Sequence, residues 1–246
     1  MKWGFLVLVL LTIIAAASAM AAPVGPDQLN VLGSSTRAGS ANGIGIQALA
    51  GNVSELAINN TVVTQGWQGY YGNVTGNIVL DDAQNNTMYS WNLVNPQGEI
   101  YATRDSNGVN WGSTNIICAN ITHIESEETT LNFNGGGTQS TDGINETFRF
   151  TSHPAFGVSA ANFAADDCGF TVSTYVNDAP GVRSFNETLL YSNSDTNLIY
   201  AALIFPGGSD GFKSGTDGHD FQMLVAEDGH GTDVNPTNYY FYVELS

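Results

Sequence analysis

The stretch that decides the fold is Val74-Thr75-Gly76-Asn77-Ile78-Val79-Leu80-Asp81-Asp82-Ala83-Gln84-Asn85-Asn86-Thr87-Met88-Tyr89-Ser90-Trp91-Asn92-Leu93-Val94-Asn95-Pro96-Gln97-Gly98-Glu99-Ile100-Tyr101-Ala102-Thr103. Val74, Gly76, Ile78 and Leu80 recur at a period of two, with polar Thr75 and Asn77 between them, as in a strand with one face toward a core. Asp81 to Asn86 is turn chemistry, because Asp and Asn side chains bond to their own backbone and tolerate left-handed conformations. Residues 88–94 and 99–103 are two more β-type runs. The Asn95-Pro96-Gln97-Gly98 punctuation between them predicts a hairpin.

The same texture extends outward. Residues 53–58 and 61–64 are strand candidates on the near side. On the far side lie 146–151, 155–159, 169–176, 187–192, 198–205, 221–227 and 239–245, with a Gly/Asp/Ser loop over 207–220. Many short strands with turn signals every eight to twelve residues predict a mainly β, antiparallel sandwich-like domain over residues 51–246. One stretch resists that pattern. Ile117, Ile121, Ile124, Glu128 and Leu131 recur at helical spacing, and Ser113 or Thr114 is a candidate cap. A helix over 115–131 is predicted, laying Ile117, Ile121 and Ile124 on a sheet and ending at Asn134-Gly135-Gly136-Gly137.

Upstream, residues 22–50 are small, polar and Gly-rich, with Pro23 and Pro26. They read as an extended arm in which only Leu29-Asn30-Val31-Leu32 is strand-like. Before them come Lys2, an apolar run from Gly4 to Ala17, and the small-residue sites Ala17-Ser18-Ala19 and Ala19-Met20-Ala21. This is the layout of a cleaved secretory signal peptide over 1–21. A retained signal anchor and a pilin-type leader are the alternatives. The Ala-rich end and the early Pro23 favour cleavage.

The chain has 246 residues, 42% of them hydrophobic, and a net charge of −17 from 23 acidic against only 6 Lys and Arg residues. So few cations cannot neutralise phosphates, which excludes nucleic acid as a partner class. The charge repels anionic lipid and favours solubility, cations and high salt. Two cysteines, Cys118 and Cys168, stand 50 residues apart with no zinc-finger spacing. In an oxidising compartment one disulfide is the simplest reading, and two buried thiols the alternative. Asn-x-Ser/Thr sequons occur at Asn52, Asn59, Asn73, Asn85, Asn120, Asn145 and Asn186, and glycosylation there demands exposure.

Three motifs together resemble a widespread, functionally uncharacterised family of secreted archaeal cell-surface proteins. The first is Ala50-Gly51-Asn52-Val53-Ser54-Glu55-Leu56 leading into Trp67-Gln68-Gly69-Tyr70-Tyr71-Gly72-Asn73-Val74-Thr75-Gly76. The second is Asp81-Asp82-Ala83 with Tyr89-Ser90-Trp91. The third is Asp220-Phe221-Gln222-Met223-Leu224-Val225, Glu227-Asp228-Gly229-His230-Gly231 and Tyr239-Tyr240-Phe241-Tyr242-Val243-Glu244-Leu245. Ala226 stands where the pattern leads one to expect Pro. The resemblance implies export from an archaeon and transfers no catalytic role.

Candidate sites are diffuse. Trp67, Tyr70, Tyr71 and Trp91 offer rings that either pack in the fold or stack on sugars as a glycan platform. Asp210, Asp217, Asp220, Asp228, His219 and His230, with His153 and Asp233, supply oxygen and nitrogen donors for calcium or another metal, but no DxDxDG, HxxxH or HExxH spacing organises them. Asp81–Asp82, Glu127–Glu128 and Asp166–Asp167 are carboxylate pairs from which a hydrolase could be built. No nucleophile elbow, P-loop or dinucleotide fingerprint is present. The functional expectation is a secreted, N-glycosylated, self-assembling surface or matrix protein needing no cofactor. A glycan-binding module and a secreted hydrolase are the alternatives.

Overall fold

In the computed structural model, residues 22–38, 43–133, 141–150, 152–175, 183–205, 212, 218–227 and 236–245 are described. The expected leader, residues 1–21, lies outside them. The elements in chain order are β1 (Trp67–Gly72), β2 (Asn77–Asp81), β3 (Thr87–Asn92), β4 (Gly98–Thr103), β5 (Ile116–Cys118), α1 (Ile121–Thr130), α2 (Ile144–Thr147), β6 (Phe156–Val158), β7 (Ala161–Phe163), β8 (Thr171–Tyr175), β9 (Arg183–Ser192), β10 (Asn197–Leu203), β11 (Phe221–Ala226) and β12 (Tyr240–Leu245). The protein is mainly β, and every strand pairing is antiparallel.

The centre is a six-stranded sheet in the order β12-β4-β10-β9-β5, with β8 pairing β9 as well. β9 is long enough to serve two partners on one edge: Phe185–Thr188 face β8, and Leu190–Ser192 face β5. β10 shows why its sequence is apolar without alternation. Leu198, Tyr200 and Ala202 enter one core, while Ile199, Ala201 and Leu203 face another. A strand covered on both sides needs apolar residues at every position. Size is matched across the pair: Tyr200 stands opposite Ala102, and Ala201 opposite Tyr101. One face of the sheet is covered by α1, α2 and the β1–β11 ribbon, the other by the β6–β7 hairpin and Trp111.

Several expectations are corrected by these pairings. The stretch 115–131 is a strand followed by a helix. The Asn115 amide donates to Ser192 Oγ and the Asn110 carbonyl and accepts from Ser194 N–H, which holds the following residues along β9. Asn120 then breaks the strand: its Oδ1 accepts His123 N–H at 3.1 Å, and its own N–H donates to His123 Nδ1. That reciprocal cap starts α1 where Ser113 and Thr114 do not. Ile124 is fully buried, Ile121 is 41% exposed, and Ile117 belongs to β5.

Strand β3 does not form a hairpin with β4. It pairs with β2 across the Asp81–Asn86 turn, and β4 joins the central sheet. The switch is made at Gly98, whose φ of +121° no side-chain-bearing residue adopts readily. A Cβ there would also collide with the Glu244 carbonyl. The strand expected at 146–151 does not form over its described residues: its first two belong to the one-turn helix α2, whose start is held by the Glu128 carboxylate accepting the N–H groups of Ile144 and Asn145. Only Phe150 bridges, to Thr171.

The arm is longer than expected. Among the described residues no strand ladder forms before Trp67, so 29–32, 53–58 and 61–64 are segments without strand partners. A strand requires an edge to pair with, and propensity alone supplies none. Among its described residues the arm makes one β-bridge, at Val24, which exchanges both backbone hydrogen bonds with Val243 on the outer edge of β12.

Candidate functional site

Cys118 ends β5, and Cys168 lies three residues before β8. Both elements run along β9, which brings the sulfurs together in a disulfide with Cα atoms 5.2 Å apart. Among the described residues, no helix is long and apolar enough to cross a membrane.

The four aromatic candidates do not share one surface. Trp67 packs between Phe133 and Phe148 and donates Nε1–H to the Asp142 carbonyl at 2.6 Å. Tyr70 is half-buried edge-on to Phe241. Tyr71, on the opposite face of β1, meets Phe212 and His219. Trp91 lies on β3 and is 48% exposed, with its ring tilted 61° to that of Tyr89.

Asp220 closes the β1–β11 ribbon. Its carboxylate accepts Val74 N–H at 2.8 Å, its N–H donates to the Gly72 carbonyl, and its carbonyl accepts Phe205 N–H. His219 lies against Tyr71 with a buried Nδ1. Asp210, Asp217, Asp228, Asp233 and His230 lie outside the described residues. His153 donates Nδ1–H to the Pro154 carbonyl and accepts Cys168 N–H on Nε2 at 2.9 Å, so both ring nitrogens are engaged with backbone. Among the described residues, no three His, Cys, Asp or Glu side chains gather as a metal site.

The adjacent carboxylates hold the fold together. Asp82 accepts from Gln84 N–H, Asn86 N–H and the Asn86 amide, bonds that hold its carboxyl below the usual range. Glu127 takes a bidentate grip from Arg104 at 2.6 and 2.7 Å, tying α1 to the end of β4. Asp166 and Asp167 accept the N–H groups of His153 and Ala164.

A carboxyl pair that the sequence does not announce comes from sheet register. Glu99 and Glu244 are direct partners across β4 and β12. Tyr101 Oη lies 3.4 Å from a carboxylate oxygen of each, and Glu244 also accepts Ser159 N–H from the turn between β6 and β7. They are 6% and 3% exposed. Burial, then the neighbouring Glu244, pushes Glu99 up to about 8, and burial raises Glu244 too. Tyr101 Oη between them and Ser159 N–H on Glu244 tie the pair to the β6–β7 hairpin, so it holds two layers together. Glu187 is also fully buried and raised by desolvation, and accepts Leu224 N–H at 2.8 Å.

The sequons divide by accessibility. Asn52, Asn59, Asn73 and Asn85 are exposed, with Asn85 at φ +62° in the β2–β3 turn. Asn120 is exposed too, but its side chain caps α1; Asn145 is half-buried, and Asn186 accepts Ser173 Oγ–H across the β8–β9 ladder.

The feature that stands apart is apolar and exposed. Along the arm, Leu29, Val31, Leu32, Ile44, Ile46, Leu49, Val53, Leu56, Ile58 and Val62 are all 57% exposed or more. A folded surface normally scatters such residues singly. Comparison with known proteins finds no match among family models, curated proteins or solved structures.

Proposed function

We propose that this chain is an exported, N-glycosylated structural protein of an archaeal cell surface or extracellular matrix, which assembles with copies of itself through its N-terminal arm. The observation that carries this reading is the arm: some forty described residues without a strand ladder, rich in β-branched and other apolar side chains that are exposed. Extended segments of this composition bind by adding a strand to an open sheet edge. The Val24–Val243 bridge supports the reading, since it begins such an addition at β12. The disulfide fits an oxidising compartment. Glycans on exposed asparagines would be tolerated by the fold. The sequence motifs that resemble archaeal surface proteins point the same way.

The test is the mature chain, purified from an archaeal host and followed by light scattering and negative-stain microscopy over a range of concentration and salt. Oligomers or filaments, with glycan mass on the exposed sequons, are expected. Monomers under every condition would overturn self-assembly, and a product retained in the cytoplasm would overturn export.

A further inference from the structure

Two elements of this chain are left unsatisfied, and they complement one another. One is the β2–β3 ribbon. Ile78 pairs with Trp91 and Leu80 with Tyr89, so these four side chains form one continuous apolar face, 45% to 58% exposed. Val79 on the other face is 48% exposed. Among the described residues no third strand joins the ribbon, and its foot is held where Gly76 backs onto Leu245. An isolated two-stranded ribbon is marginal in water. Exposed edges are ordinarily blunted by Lys, Pro or inward-pointing charge, and neither β2 nor β3 contains Lys, Arg or Pro.

The second element is arm segment 53–63. Leu56, Ile58 and Val62 share one face at strand period and are 57%, 87% and 81% exposed. Asn59, a sequon residue, falls on the opposite face, where a glycan would not obstruct pairing.

The geometry points to residues 53–63 of one copy adding as a strand to the β2–β3 ribbon of a second copy, with Leu56, Ile58 and Val62 packing beside Ile78, Leu80, Tyr89 and Trp91 on one face. This assignment rests on the self-assembly reading and gives it a donor and an acceptor.

Two arguments select a second copy as the occupant. The first is reach. Thr64 is tied to Asp142 by a 2.6 Å hydrogen bond, and Gly66 is buried against Phe133, both at the Trp67 end of β1. The ribbon leaves from the other end, beyond Gly72, a strand length of about 20 Å away. Val62 lies two residues from Thr64 and reaches about 7 Å, so Leu56, Ile58 and Val62 cannot all lie along the ribbon of their own chain.

The second argument is charge. In a chain of net charge −17, residues 43–80 contain only Glu55 as a charged side chain, and the ribbon adds only Asp81 and Asp82 at its turn. Two copies can therefore meet here without the repulsion that the rest of the surface would impose. Because donor and acceptor are different surfaces, the contact is head-to-tail and propagates as an open chain.

The experiment uses three full-length mature forms: wild type, a donor variant (Leu56→Ser, Ile58→Ser, Val62→Ser) and an acceptor variant (Tyr89→Ser, Trp91→Ser). Light scattering against concentration is expected to show open oligomers for wild type. Self-association of each variant should weaken about thirtyfold or more, as loss of a central aromatic or aliphatic anchor does. Mixed one to one, the variants should form heterodimers and stop there, since each mixture retains one good donor and one good acceptor.

Polymerisation of both variants like wild type would overturn the assignment while leaving self-assembly standing. Failure of the mixture to pair, or protection of the arm from hydrogen exchange in a concentration-independent monomer, would also overturn it. Wild type that never associates would overturn both readings. A second measurement is independent of any change in the acceptor's folding. Ile58→Cys with Ile78→Cys in one chain should give a ladder of cross-linked multimers on oxidation. Monomers closed within one chain would contradict the model of exchange between copies.

Discussion

Replacing Glu99 by Gln should remove a large pH dependence of stability. Glu99 faces Glu244 across β4 and β12, 6% exposed, with no cation among its described hydrogen-bond partners, and its folded-state value is about 8 against an ordinary 4.5. The folded protein therefore keeps the Glu99 proton between pH 4.5 and 8, where the unfolded chain has released it. For an acid raised in this way, the stabilisation is complete below 4.5 and is lost as pH climbs through the window. The displacement, 8 − 4.5 = 3.5 pH units, corresponds to about 5 kcal/mol at 1.36 kcal/mol per unit.

The assay is urea unfolding followed by tryptophan emission at pH 5, 6, 7 and 8, on wild type and Glu99→Gln. Wild type should lose stability steadily across the series. The variant, whose amide is neutral throughout, should lose several kcal/mol less, keeping the slope due to the other shifted groups, Glu244, Glu187 and His123. At pH 5 the two proteins should be nearly equal, and at pH 8 the variant should be the more stable. Parallel pH profiles would refute the reasoning, because they would mean that Glu99 is solvated or paired with a cation in solution.

Reducing the disulfide, or replacing Cys118 and Cys168 by Ala, should cost about 4 kcal/mol in the chain-entropy picture for a 50-residue loop, read as a fall in denaturation midpoint. Arg104→Ala should cost about 3–5 kcal/mol because it strands Glu127 in the core, whereas Arg104→Met with Glu127→Leu should recover most of that loss in the same denaturation assay. Gly98→Ala should fail to give a soluble folded protein or lower its melting temperature sharply, since φ is +121° and the new Cβ meets the Glu244 carbonyl. Asn120→Ala should lose about 1 kcal/mol by uncapping α1, with helical circular dichroism reporting the fraying.

Much of the architecture was legible locally. The apolar runs at 187–192, 198–205, 221–227 and 239–245 are strands because their β-branched and aromatic residues suit a pleated, covered surface, and the Asp82-centred turn closes a hairpin by chemistry confined to five residues. The disulfide was inferable because an isolated cysteine pair has one simple partner assignment. Over residues 115–131 the local pattern is ambiguous for a physical reason: isoleucines fit both periods, and the choice is made by Asn115 bonding to Ser192 and Ser194, some 77 and 79 positions away. The 95–98 punctuation marked a real break but could not say which strand β4 would join.

What the sequence determined unaided is whatever depends on neighbours in the chain: strand material, turns, a low-charge arm, a surface short of cations. What tertiary structure alone decided is whatever depends on register between distant strands. Glu99 and Glu244 are unremarkable glutamates until β4 and β12 align and set them face to face in the dark of the protein interior. Likewise, segment 53–63 has strand composition, yet it has no strand partner because every strand needs an edge, and the tether at Thr64 holds the Val62 end of the segment away from its own ribbon.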